Sequence, residues 1–88
     1  MQIESETVAE VTRRLRRAEG QIRGVIAMLE SGRECAEVVT QLAAVSRALD
    51  RAGYKVIASG LQQCMESDDP EQRAANVARM EKLFLSLA

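Results

Sequence analysis

The 88-residue chain is one domain at most, too short for a barrel or a doubly wound enzyme. Its two aromatic residues, Tyr54 and Phe84, one proline and five glycines exclude a sheet protein and point to an all-α fold rich in Ala, Arg, Glu, Leu and Val. The net charge of −1 argues against a simple basic nucleic-acid binder, and no apolar stretch has the length of a membrane span or the flanks of a signal peptide, so a cytoplasmic protein without membrane contact is expected.

The charge is segregated. Residues 11 to 33 carry Arg13, Arg14, Arg16, Arg17, Arg23 and Arg33 against Glu19 and Glu30, whereas residues 66 to 71 carry Glu66, Asp68, Asp69 and Glu71 with no basic residue. Such separation is what electrostatic steering uses.

The first helix is expected over residues 7–30. Thr7 with Glu10 three residues on reads as a capping box, and Val8, Val11, Leu15, Ala18, Ile22, Val25, Ile26 and Leu29 recur with helical spacing. Ser31 and Gly32 end the pattern, since glycine suits the left-handed position after a helix. The second helix, 34–66, keeps one apolar stripe from Val38 through Val45, Ala52 and Ile57 to Met65 without a proline. Asp69, Pro70 and Gln72 then supply N-cap, first-turn proline and third-position partner for a last helix, 70–87, with Val77, Met80, Leu83, Phe84 and Leu87 on its apolar face.

A single domain spanning residues 1–88 with so long a second helix cannot cover it alone. At 1.5 Å per residue that helix is about 45 Å long, against a radius of gyration of about 12 Å for a compact chain of this size. The expected solution is an antiparallel two-fold dimer forming a four-helix bundle. The alternative is a break at Gly53 that yields a monomeric bundle.

The chain has no histidine and only two cysteines, Cys35 and Cys64, which excludes Ser-His and Cys-His nucleophile pairs and His-ligated zinc. Placed on one helix, the two sulfurs stand roughly 43 Å apart, but in an antiparallel dimer Cys35 of one protomer approaches Cys64 of its partner. Cys35 lies in a helix first turn, where the dipole favours an anion, and is the better nucleophile; Cys64, near the other end, is the better resolving thiol. Read from the residues alone, a paired thiol site and two small buried hydrophobes stand level. Arg13, Arg14, Arg16, Arg17 and Arg23 on the first helix, with Arg47, Arg51 and Lys55 in a four-residue row on the second, fit either a track of DNA phosphates or a solvated face with i to i+4 ion pairs. Small residues at Gly20 and Gly24 fit either close backbone approach or ordinary helix packing.

The stretch Arg14-Leu15-Arg16-Arg17-Ala18-Glu19-Gly20-Gln21-Ile22-Arg23-Gly24, then Cys35, Gln41-Leu42-Ala43-Ala44-Val45, Ala48-Leu49 and Cys64 resembles the CsoR family of bacterial transcriptional repressors. The resemblance runs from about residue 8 to 66. It implies an all-helical protomer, an antiparallel dimer, a dimer of dimers, and operator DNA as a partner, bound until an inducer reacts between protomers. For DNA it implies Arg14, Arg51, Gly20 and Gln21, to which the charge rows add Arg17 and Lys55. The family's copper sensors place a histidine four residues before the second cysteine; here that residue is Gly60, and Met80 stands where an acidic residue of the last helix is expected. The formaldehyde sensors use an N-terminal proline, and residue 2 here is Gln2. The remaining pattern is similar to the persulfide-sensing CstR branch. It implies persulfides or polysulfides as inducers that link Cys35 to Cys64 through a di-, tri- or tetrasulfide, with no cofactor, no metal and no enzymatic activity. A Cu(I) sensor with two thiolate ligands and a helical scaffold without DNA binding are the alternatives.

Overall fold

The computed structural model describes residues 2–87. Three helices follow in order, α1 (Ser5–Glu30), α2 (Cys35–Met65) and α3 (Pro70–Leu87), with no strand among the described residues. The second helix is continuous through Gly53 and Gly60, so the broken monomeric bundle does not form.

The turns follow from local chemistry. After α1, Arg33 N–H donates to the Met28 carbonyl and Gly32 N–H to that of Leu29, with Gly32 at φ +74°. This is the two-bond helix ending for which glycine is suited. At the start of α3 the Asp69 carboxylate accepts from Glu71 N–H at 3.0 Å, and Pro70 occupies the first helical position. Gln72 does not reach back to the cap; its amide donates forward to Asn76 Oδ1.

The expected capping box of α1 is also absent. The helix starts two residues earlier, at Ser5, with Glu4 as N-cap and no side-chain capping bond. Thr7 therefore lies inside the helix. Glu10 is drawn away by charged partners, since a carboxylate gains more from Arg and Lys than from a neutral N–H.

Packing of α1 on α2 rests on a seven-residue repeat. The buried residues of α1 are Val11, Ala18 and Val25; those facing them on α2 include Val38, Val45 and Ala52. Small side chains at every seventh position let two antiparallel helices approach closely along a narrow seam. Val25, Val38 and Val45 form its centre, with Met28 packed against them. The ion pair of Glu10 with Lys55 fixes the register at the far end.

Helix α3 packs on the C-terminal part of α2 and makes no contact with α1 among the described residues. Met80 is its one buried side chain among those described. Tyr54 and Phe84 pack with ring centroids 5.2 Å apart. Gly53 admits the end of Leu87 so closely that an added Cβ would lie 2.7 Å from Leu87 Cδ1.

The three helices lie side by side in one layer. The molecule measures 56 × 24 × 12 Å with a radius of gyration of 17.0 Å, so its thickness is that of one helix. The apolar stripes are accordingly only half used: Val8, Leu15, Ile22, Ile26 and Leu29 on α1 and Val39, Leu42 and Leu49 on α2 remain exposed. No helix among the described residues is long and apolar enough to cross a membrane.

Since Met80 is the buried side chain of α3 among those described and α3 packs on α2 only, Met80→Ala is expected to cost about 2 kcal/mol and to act locally. Hydrogen exchange would show amides of α3 losing protection while those of the α1–α2 seam keep theirs; equal loss in both regions would contradict this independence of α3.

A basic groove and two separated thiols

The antiparallel register brings the basic residues of α1 and α2 to one place. Arg14 and Arg17 from α1 and Arg47 and Arg51 from α2 surround a groove of about 340 Å³, floored by Ala18, Ala44 and Ala48 and also lined by Gln21. Alanines at the helix crossing keep the floor low, so the four guanidinium stems rise around it. Arg14, Arg17, Gln21 and Arg51 of the sequence-derived set are thus joined. Arg47 belongs with them, and its place in the four-residue row was the signal for it.

Gly20 and Lys55 lie outside that lining. Gly20 is exposed, and a Cβ added there or at Gly24 would meet nothing within 4 Å. Helix packing within the protomer therefore explains neither glycine. Lys55 donates to Glu10 at 3.4 Å, and Arg14 donates to the same oxygen at 3.2 Å. Ion pairs at i to i+4 spacing do occur, in Arg14 with Glu10, Arg23 with Glu19 and Arg33 with Glu37. They neutralise Arg14 and Arg23 but leave the guanidinium groups of the groove's other three arginines without an ion pair among those described.

Gln21 adds an acceptor. Its Oε1 is buried and has no hydrogen-bond partner among the described residues. A buried oxygen in that condition costs free energy until a donor reaches it.

The two cysteines are in unlike settings. Cys35 is the first residue of α2 and is exposed; Cys64 lies in its last turn and is 1 % exposed. Cys64 lies beyond the stretch of α2 that α1 covers, in the region where α3 packs. Arg33, expected beside Cys35, directs its guanidinium to Glu37 at 3.2 Å. The straight course of α2 keeps the thiols of one protomer apart by roughly 43 Å. Among the described residues no group of three His, Cys, Asp or Glu side chains is placed to hold a metal ion.

Glu10 titrates below the ordinary carboxylate value. The hydrogen bond from Arg14 holds its carboxyl below the ordinary 4.5, opposed by partial desolvation and aided by the Lys55 charge. A carboxyl with a lowered folded-state value stabilises the fold above its unfolded value, and that contribution fades as pH falls through the folded one. The wild-type protein and Glu10→Gln are therefore expected to differ in thermal stability at neutral pH and to converge below pH 4.5; a difference that persists unchanged into acid would contradict the ion-pair assignment.

Residues 7–86 match the family described as metal-sensitive transcriptional repressors. The chain is 30% identical over 79 residues to the copper-sensing transcriptional repressor CsoR of Bacillus subtilis (strain 168), covering 85% of this chain and 78% of that one. It is 40% identical over 53 residues to the copper-sensing transcriptional repressor RicR of Mycobacterium tuberculosis, a match spanning 60% of this chain and 55% of RicR. Among solved structures, the nickel-responsive transcriptional regulator InrS superposes with a TM-score of 0.80 at 29% identity over 100% of this chain and 98% of that one. A variant of the formaldehyde-responsive regulator FrmR from Salmonella enterica serovar Typhimurium superposes with a TM-score of 0.82 at 28% identity, covering 97% and 98%.

Proposed function

Because the chain belongs to the metal-sensitive transcriptional repressor family, we propose that it is an operator-binding repressor switched by reactive sulfur at a dithiol site shared between protomers. The observation that carries this reading is the donor set: no histidine anywhere in the chain and two thiols at opposite ends of one continuous helix.

Oligomerisation is the first requirement. A one-helix-thick layer with apolar residues on the open faces of α1 and α2 needs a second layer to bury them. An antiparallel two-fold pairing supplies it and sets Cys35 of each protomer toward Cys64 of the other. A dimer of dimers completes the assembly implied by the resemblance to CsoR.

DNA is bound through the basic groove. Arg14, Arg17, Arg47 and Arg51 contact phosphates, Lys55 extends the row, Gly20 lets the backbone come close, and the orphaned Gln21 oxygen receives a donor in the bound assembly.

The inducing chemistry balances in two steps. The exposed Cys35 thiolate attacks the outer sulfur of a persulfide, taking that sulfur and releasing the carrier as a thiolate. Attack of the partner's thiolate, that of Cys64, on Cys35 Sγ then expels hydrosulfide and leaves a disulfide; when both thiols have taken sulfur first, loss of one hydrosulfide leaves a trisulfide. Cys64 is buried in the reduced protomer, so bridging draws it out from its packed position and disturbs α3. Arg47, Arg51 and Lys55 share the same rigid helix with Cys64, which carries the disturbance to the DNA face.

A second reading has a specific observation behind it: CsoR and RicR are copper-sensing, and two thiolates are soft ligands suited to Cu(I). One set of measurements separates the two. Intact mass without reductant, after exposure of reduced protein to a persulfide donor, is expected to show a covalent dimer carrying added sulfur, lost in Cys35→Ala and in Cys64→Ala. Cu(I) is expected to release DNA from Gly60→His and not from the native chain. An unmodified monomer mass together with Cu(I)-driven release from the native chain would overturn the persulfide reading in favour of copper.

A further inference from the structure

Glu10 is absent from the proposed DNA face, yet it holds two residues that belong to it. Its Oε1 accepts from Arg14 Nη2 at 3.2 Å and from Lys55 Nζ at 3.4 Å. The other ion pairs among the described residues join positions four apart in the chain; the Lys55 contact ties α2 to α1. Arg14 also lines the groove, so Glu10 stands at the groove's edge.

A carboxylate oxygen accepting from a guanidinium and an ammonium at once reproduces what a DNA phosphate oxygen meets on a basic surface. A phosphate that reached both cations would come within a few ångströms of this carboxylate, and at that separation two negative charges repel in water and more strongly at a partly dry interface. Cations held by Glu10 and cations held by DNA are therefore alternatives.

Resting on the DNA-binding reading above, we propose that Glu10 is a built-in phosphate mimic that occupies Arg14 and Lys55 in the DNA-free protein and yields them when DNA binds. Glu10 thereby sets the protein's DNA affinity below what its basic residues alone would give. It keeps Arg14 and Lys55 positioned across the α1–α2 seam in the meantime. The pair of Glu19 with Arg23 offers an internal reference: it has the same 3.2 Å geometry on the same helix, but it lies on an open surface away from the groove.

The test uses the full chain, reduced, with a mixed-sequence DNA duplex about 40 base pairs long, and measures affinity as a function of salt for the wild type, Glu10→Gln and Glu19→Gln. Glu10→Gln is expected to bind about tenfold more tightly at ~0.1 M salt, with a salt dependence steeper by about one to two phosphate contacts. Glu19→Gln, which removes the same charge, is expected to change affinity less than about twofold. Lys55→Gln should weaken binding more in the Glu10→Gln background than in the wild type, because only there does Lys55 reach DNA without first giving up an ion pair. Binding by Glu10→Gln that is no tighter and no more salt-dependent than that of Glu19→Gln would overturn the mimic while leaving the DNA reading intact. A wild-type protein with no salt-dependent binding to the duplex would overturn the DNA reading, and the mimic with it.

Discussion

The structure depends on one constraint: a 31-residue helix is covered along one side by small side chains at every seventh position and left apolar on its open face. Val11, Ala18 and Val25 against Val38, Val45 and Ala52 let α1 lie close to α2, and α3 packs on α2 without reaching α1, so no second layer forms inside the protomer among the described residues. The molecule is 12 Å thick as a result. The unfilled faces then call for another chain, and the length of α2 puts Cys35 and Cys64 where only two chains can bring them together.

The same seam organises charge. Because α1 runs antiparallel to α2 with Glu10 beside Lys55, the arginines at 14 and 17 fall opposite those at 47 and 51 and frame one groove over alanines. A chain with a net charge of −1 thus presents a concentrated basic surface, while the acidic residues at 66 to 71 sit at the distant turn into α3. Local field, not net charge, determines what such a surface attracts. The family assignment and the groove therefore support each other from independent directions.

Much of the fold was legible in the sequence because its determinants are local. Gly32 ends α1 through hydrogen bonds within six residues, Asp69-Pro70 opens α3, and the uninterrupted apolar stripe predicts a single α2 through Gly53 and Gly60. The misread points have non-local causes. Thr7 and Glu10 have the spacing of a capping box, but Glu10 finds Lys55 on another helix, and nothing within α1 announces that partner. Gln72 likewise turns to Asn76. The α1 stripe was correct as a helix signal, yet it does not tell Val11 and Val25, which face α2, from Leu15 and Ile22, which do not. The thiols were located, with Cys35 at the helix start as expected, whereas the burial of Cys64 depends on tertiary packing that spacing alone does not encode. Arg47 was visible in its row, and its membership of the groove became evident only with the register of the two helices.

The proposed switch is made by two chains. Its most direct test mixes the Cys35→Ala chain with the Cys64→Ala chain, lets protomers exchange under reducing conditions, removes the reductant, and measures intact mass after addition of a persulfide donor. Each mixed pair keeps one intact Cys35 and one intact Cys64 on different chains, so a sulfur-bridged heterodimer is expected in the mixture and in neither variant alone. A mixture that gives no bridged heterodimer, or a single variant that bridges to itself as readily, would contradict the account.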